Sequence, residues 1–398
     1  MSISGRPRLA ISAAYFAFFG GLACYGPYIV LHLRGLGLSG TQIGLLNALT
    51  PLGAAFMSPL WGNIADARGA HRLILRMATL TAAAVMLLLT SAHAFWQIAL
   101  LIVVYALIGT TAQPLLDSYG VAISARMRLS YGQLRVWGSI GYMLAAWLIG
   151  RVMGAEVSTL FLFCFAVALA LTCVASLGLP SLSTLSERIK SSDEFSRHVK
   201  ANRWRGAASL LRRPDIRIVL LAVFMLAVAT NPVQSLFGVY FRGLGASASR
   251  VGTATAIAAF SELPMLFLGG RLNAWLGSRR MFIIALVVYG VRMALYSVVP
   301  STTWVLPIQL LHGMSFGFGL MASVTLIHEL AGPEFAATAQ ALIASAAAFG
   351  NMSGALLSGA LLDRIDIRAI YLMSSALTVL TILVCLIGLR RPAMQIKG

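Results

Sequence analysis

Twelve apolar stretches, each about as long as a membrane-crossing helix, constrain this chain of 398 residues more than any other feature. They run over 9–33, 41–64, 73–92, 95–121, 133–155, 157–180, 216–241, 250–272, 281–299, 303–330, 336–362 and 369–389. A helix rises about 1.5 Å per residue, so roughly 20 residues cross a hydrocarbon core of about 30 Å. Lipid offers no hydrogen bonds to a backbone, and runs this long satisfy their own amides only as helices. Composition agrees, since charged residues make up 11% and the mean hydropathy is +0.85, where soluble domains carry about one-quarter charged residues. MSISGRPR leads into the first stretch without a small-residue cleavage site, so that stretch is expected to stay as a spanning helix.

The longest polar stretch falls between the sixth and seventh segments and ends in RRPD. It divides the chain into a first bundle (1–180), a linker (181–215) and a second bundle (216–398). The expected class is an all-α membrane protein, twelve transmembrane helices in two pseudo-symmetric six-helix bundles. The halves repeat: LRGLGLSGTQIG at 33–44 aligns with FRGLGASASRVG at 241–252, an offset of 208. The same offset carries Gly62 onto Gly270, Gly69 onto Gly277, Arg72 onto Arg280 and Gly109 onto Gly317. Parallel duplication of this kind marks rocking transporters with a site near mid-membrane between the repeats.

A net charge of +18 could suggest nucleic acid, yet no basic stretch carries a DNA- or RNA-reading pattern. The charge instead fixes orientation. With both termini in the cytoplasm, the inner loops and tails hold 23 of the 30 Lys and Arg, and the outer loops six. The positive-inside rule then places both termini in the cytoplasm, in an inner membrane. Cys24, Cys164, Cys173 and Cys385 lie in apolar segments without metal-ligand spacing and read as packing residues. No metal and no cofactor are expected. The partners are a small-molecule substrate, protons and the lipid bilayer, and the chain is expected to be a monomer. An embedded enzyme would need a nucleophile or a metal cluster, and HExxH, GxSxG and CxxC are all expected to be missing.

The remaining basic residue, Arg292, sits near the middle of the apolar run 281–299. Insertion scales charge about 2.5 to 3.5 kcal/mol for an arginine at that depth, so it should face a partner or a water-filled cavity. Counted from the ends of their segments, Glu262 lies about 18 Å deep, Arg292 about 16 Å and His312 about 14 Å. Three ionisable groups at one depth argue for one site, in which Glu262 and Arg292 neutralise each other and His312 exchanges protons near neutral pH. In the first half, Asp117 and Arg135 lie 18 residues apart across the turn between the fourth and fifth segments, toward the cytoplasmic mouth. Prolines in YGPY (25–28), TAQPLL (111–116) and TNPVQ (230–234) break helices where freed carbonyls must face protein or water. Tyr25, Tyr28, Gln113, Asn231 and Gln234 are the polar residues expected to line a cavity there.

GNIADARGAHR, after the second segment, resembles the signature of the major facilitator superfamily, GxxxD followed by a basic glycine-containing turn. Gly62, Asp66, Arg68, Gly69 and Arg72 match it, and Ala67 stands where that family has a basic residue. The resemblance implies a gating latch, in which Asp66 pairs with loop arginines and a neighbouring helix N-terminus. YGQLRVWGSIG, GVRMAL and QLLHGMSFG resemble more narrowly the proton symporters of the lactose permease and phenylpropionate permease type. That likeness implies proton coupling through Glu262, His312 and Asp117, and substrate binding by Arg292 and Arg135. Ser315 occupies the place of a further glutamate that lactose permease uses for proton release. Two arginines in a cavity lined by Tyr, Phe and Trp favour an amphipathic organic acid, such as an aromatic carboxylate, over a sugar, carried by alternating access. A sugar or nucleoside symporter, a drug/proton antiporter and a non-transporting receptor stay open as alternatives.

Overall fold

The computed structural model describes residues 5–182 and 206–389, so most of the expected linker lies outside the described residues. Twelve helical spans follow in order: α1 Arg6–Gly35, α2 Gly40–Arg68, α3 His71–Leu89, α4 Phe95–Met127, α5 Tyr131–Met153 and α6 Leu160–Ser176. The second half comprises α7 Pro214–Gly243, α8 Ala248–Leu276, α9 Ser278–Val298, α10 Thr302–Ala331, α11 Ala336–Leu362 and α12 Ile367–Gly388. The expected segments recur within six residues at every end. Ten of the spans are apolar and 19 to 33 residues long, while α6 has only 17 residues. The remaining one, α8, bends by 56° between Met265 and Phe267, just past Pro264, which removes a helix hydrogen bond and crowds the preceding turn.

The 208-residue repeat is written into the backbone. α1 and α7 begin and end 208 residues apart, and so do α2 and α8. Ser39 and Ser247 cap α2 and α8 through their hydroxyls, each satisfying one of the orphan amides of a helix start. Gly37 and Gly245, and then Gly69 and Gly277, adopt positive φ at matching turns, where a Cβ would clash with the following carbonyl. Local sequence thus sets the length and the stops of the spans.

The twelve spans form two bundles, α1–α6 and α7–α12, which meet through α2 against α11 and α5 against α8. One face of the molecule carries the start of α1 and the end of α12; the other carries the α1–α2 loop. On that second face the bundles lock together. Arg34 pairs with Asp363 at 2.8 Å, and Asp363 also accepts from the Gly40 amide. Tyr28 donates to the Ala248 carbonyl at 3.1 Å, Arg242 to the Ala155 carbonyl at 2.6 Å and the Ser249 amide to the Gly154 carbonyl at 2.9 Å.

Backbones touch there as well. A Cβ on Gly44 would lie 2.7 Å from the Ala355 carbonyl oxygen, and one on Gly150 would lie 2.9 Å from the Gly252 Cα. Small residues let helices approach this closely when lipid supplies no hydrophobic push between them. Further along the same helices, Gly62 and Gly270 would meet nothing within 4 Å. Each is the other's repeat partner, as Gly44 is of Gly252. The cleft between the bundles is therefore shut at the loop face and parted toward the face that carries the termini.

Candidate functional site

Between the bundles lies a cavity of about 420 Å³. Helices α1 and α5 contribute Phe19, Tyr25, Arg135 and Tyr142 on one side; α7 to α10 contribute Gln234, Phe237, Glu262, Arg292, Gln309, His312 and Phe316 on the other. Five Phe and Tyr rings, Phe19, Tyr25, Tyr142, Phe237 and Phe316, line the wall, and the tryptophan expected there is not among the lining residues.

Glu262, Arg292 and His312 meet, as their common depth requires, but in a particular order. Arg292 Nη1 lies 2.7 Å from His312 Nδ1, and His312 Nε2 lies 2.8 Å from Glu262 Oε1. The expected direct Glu–Arg pair is therefore replaced by a chain with the histidine in the middle. A guanidinium has only donors, so Nδ1 must accept, which puts the imidazole hydrogen on Nε2 and lets it donate to Glu262. Arg292 is 3% exposed. Its Nη2 donates to Gln309 Oε1 at 2.7 Å and its Nε to the Tyr296 hydroxyl at 3.2 Å. Every nitrogen of the guanidinium thus has a partner inside the second bundle. His312 and Glu262 keep 23% and 21% of their side chains exposed, toward the cavity.

Local structure sets this up. Gln309 precedes His312 by three residues and Tyr296 follows Arg292 by four, so each pair shares a helix face. Just after His312, α10 widens into a π-helical turn, Gly313–Gly317. Gly313 leaves no room for a Cβ against the Ser261 carbonyl, and its amide donates to the Ser261 hydroxyl at 2.8 Å. α10 is thereby pressed onto α8, bringing His312 to Glu262. Phe316 stacks on the imidazole with ring centroids 5.3 Å apart and 7° between planes.

The segment GMSFG does have G-x-S-x-G spacing, which corrects the expectation that this pattern is missing. Ser315 is nevertheless fully buried in a spanning helix and donates to the His312 carbonyl at 3.1 Å. A nucleophile elbow needs an exposed hydroxyl on a strand-to-helix turn.

Across the cavity, Arg135 rests on the face of Phe19, its guanidinium carbon 3.6 Å from the ring centroid. Asp117 does not pair with it among the described residues. That carboxylate instead accepts from the Tyr15 hydroxyl at 3.0 Å and the Tyr131 hydroxyl at 2.8 Å. The cavity therefore presents two arginines that differ in kind, Arg292 bonded on all sides and Arg135 held, among the described residues, by the aromatic faces of Phe19 and Tyr15.

Of the other expected cavity residues, Tyr25 and Gln234 line it. Tyr28 instead helps close the loop face. Asn231 is buried and its side-chain oxygen accepts from the Ser235 hydroxyl at 3.2 Å; Gln113 is exposed on α4, away from the cavity lining. In the GxxxD turn, Asp66 pairs with His71 at 2.8 Å, not with an arginine, and is 77% exposed. Arg72 reaches the Leu179 carbonyl at 3.4 Å and Arg76 the Ser176 hydroxyl at 3.3 Å, tying α3 to the end of α6. Arg68 sits in the last turn of α2, and Gly69 ends that helix at φ 61°. Among the described residues no His, Cys, Asp and Glu cluster could hold a metal ion.

The model of the MFS_1 like family matches residues 8–373. The maltose permease of Geobacillus stearothermophilus is 26% identical over 95% of this chain and 93% of its own length. The probable 3-phenylpropionic acid transporter of Escherichia coli (strain K12) is 26% identical over 81% of this chain and 83% of its own. Among solved structures, a variant of the nucleoside transporter NupG superposes with a TM-score of 0.84 at 17% identity, over 96% of this chain and 100% of that one.

Proposed function

The chain belongs to the MFS_1 like family of major facilitator transporters, a multi-pass membrane transporter and not an enzyme, and we propose that it is a proton-coupled symporter for a small organic acid. One observation carries the reading: a protonatable Glu262–His312–Arg292 chain faces, across a mid-membrane cavity, Arg135, which has no carboxylate partner among the described residues. In the chain as it stands, one guanidinium and one carboxylate balance, and Arg135 leaves the cavity with one positive charge in excess. A monoanionic substrate offsets that charge, and the aromatic wall suits a ring-bearing tail.

Coupling follows from hydrogen-bond direction. A proton delivered to the Glu262–His312 pair that ends on Nδ1 turns an acceptor into a donor facing Arg292 Nη1. Two donors cannot share that contact, so the imidazole gives way and the anchored Nη1 is left with a hydrogen free for a substrate carboxylate in the cavity. Proton and anion then favour each other's binding, by linkage and to the same extent in both directions. Asp117, held by two tyrosines, is a second candidate proton carrier. The Gly62–Arg72 turn acts as the gating element of the first bundle.

The excess of basic residues on the face with the termini supports a cytoplasmic position for that face, in an inner membrane. On that orientation the shut loop face and parted terminal face correspond to an inward-open carrier, and the proposal takes it to work as a monomer. A polyhydroxylated solute is the second reading, favoured by the similarity to a maltose permease along nearly the whole chain. Uptake by reconstituted liposomes under an imposed inward proton gradient decides between them, with 3-phenylpropionate, maltose and uridine as substrates. Acid uptake that rises with the gradient supports the proposal. Uptake of maltose or uridine alone overturns the substrate class, and uptake indifferent to the gradient overturns coupling.

A further inference from the structure

We propose that Gln309 is a positioning residue for proton coupling: it anchors Arg292 so that Nη1 points at His312 Nδ1 and holds the imidazole in its Nε2–H form. The inference deepens the symport reading of the same site. Gln309 is 2% exposed, deep in the second bundle, and its amide oxygen receives Arg292 Nη2 at 2.7 Å. An uncharged glutamine at this point is informative. A carboxylate would draw the guanidinium into an ion pair of its own and compete with the chain to Glu262, whereas a neutral acceptor fixes one edge of the guanidinium without spending its charge.

Tyr296 fixes Nε at 3.2 Å, so two of the three nitrogens are held by groups that remain neutral. Nη1 alone is bonded to a group that can change protonation. The guanidinium is rigid and planar, so anchoring Nη2 and Nε sets where Nη1 points. Relaying a protonation change at His312 into one freed donor depends on that rigidity. The titratable and charged groups around His312 are Glu262 of α8, Arg292, Tyr289 and Tyr296 of α9, and Tyr25, Tyr142 and Arg135 across the cavity, with Tyr371 of α12 behind Arg292. Among them Arg292 alone reaches Nδ1 by a hydrogen bond.

The test needs no substrate. Protein labelled with ¹⁵N-histidine is reconstituted in nanodiscs, and the His312 ring signals are identified by their loss in His312→Gln. Wild type should give one neutral form, with Nδ1 bare and Nε2 protonated. Gln309→Leu should turn this into a mixture of both tautomers. Gln309→Asn, which keeps the amide but draws it back by one methylene, should do so partially. In liposomes the pH of half-maximal uptake should rise in Gln309→Leu by about one unit, the scale of one lost charge-assisted hydrogen bond. A pure Nε2–H tautomer and an unmoved pH profile in both variants would overturn the proposal, as would a wild-type tautomer protonated at Nδ1. Wild-type uptake that ignores the proton gradient would count against symport instead, and the tautomer readout would still stand.

Discussion

Replacing Gly44 and Gly252 by leucine should pry open the mouth at the loop face. Both glycines touch backbone on the opposite bundle, Gly44 against Ala355 and Gly359, Gly252 against Ala146 and Gly150. A backbone cannot rotate aside as a side chain can, so the helices must part or the closed state must be abandoned. Overpacking of this kind costs about 1 to 3 kcal/mol per site. The two contacts share no partner, so their costs should add to about 2 to 6 kcal/mol. Each 1.4 kcal/mol is about a tenfold change in a population ratio, so the ratio of shut to open mouths should fall by about 30-fold or more. Spin labels at Leu36 and Arg364, on a background with the four cysteines replaced by alanine, read this as a distance distribution by pulsed electron resonance. The double variant should shift toward the longer distance, while Gly270→Leu, which projects into open space, should leave it unchanged. An unaltered distribution in Gly44→Leu/Gly252→Leu would refute the claim that these backbone contacts hold the mouth shut.

Two further outcomes follow from the site. Phe19→Leu removes the ring beneath Arg135, an interaction of about 0.5 to 2 kcal/mol. Calorimetric binding of 3-phenylpropionate should weaken by about 2- to 30-fold while binding of its neutral amide barely moves; equal weakening of both would mean that Phe19 merely packs. Asp117→Asn keeps an oxygen that can accept from Tyr15 and Tyr131, so gradient-driven uptake should retain its pH profile. A profile that flattens would make Asp117 the proton carrier.

Much of the fold was legible because its causes are local. Apolar length set the spans, serine caps and positive-φ glycines set their ends, and the 208-residue offset set the pairing of the halves. Depth counting also brought Glu262, Arg292 and His312 to one level. Depth says nothing of rotation about each helix axis, and for that reason the interposed histidine was not foreseen. The same ignorance of helical phase put Gln113 into a cavity it does not reach and Tyr28 into a binding role, when its hydroxyl closes the mouth. Gln309 and Tyr296 were within reach: each lies one helical turn from an ionisable residue already singled out, and a buried charge in lipid demands such partners. The Asp66–His71 pair, by contrast, was hidden by the arginines of the same turn, which drew the expected ion pair away from the histidine beside them. Asp66, near the end of α2, bonds His71 at the start of α3 across the short turn between the two helices.

If the Glu262–His312 pair takes up the proton that drives the substrate, Glu262→Gln is the most direct test, because glutamine keeps an acceptor for His312 Nε2 while removing the negative charge that holds the added proton on the imidazole. Liposomes holding the variant should still exchange labelled for unlabelled 3-phenylpropionate across the membrane, and should fail to concentrate it under an inward proton gradient. Accumulation at the wild-type level would contradict the account.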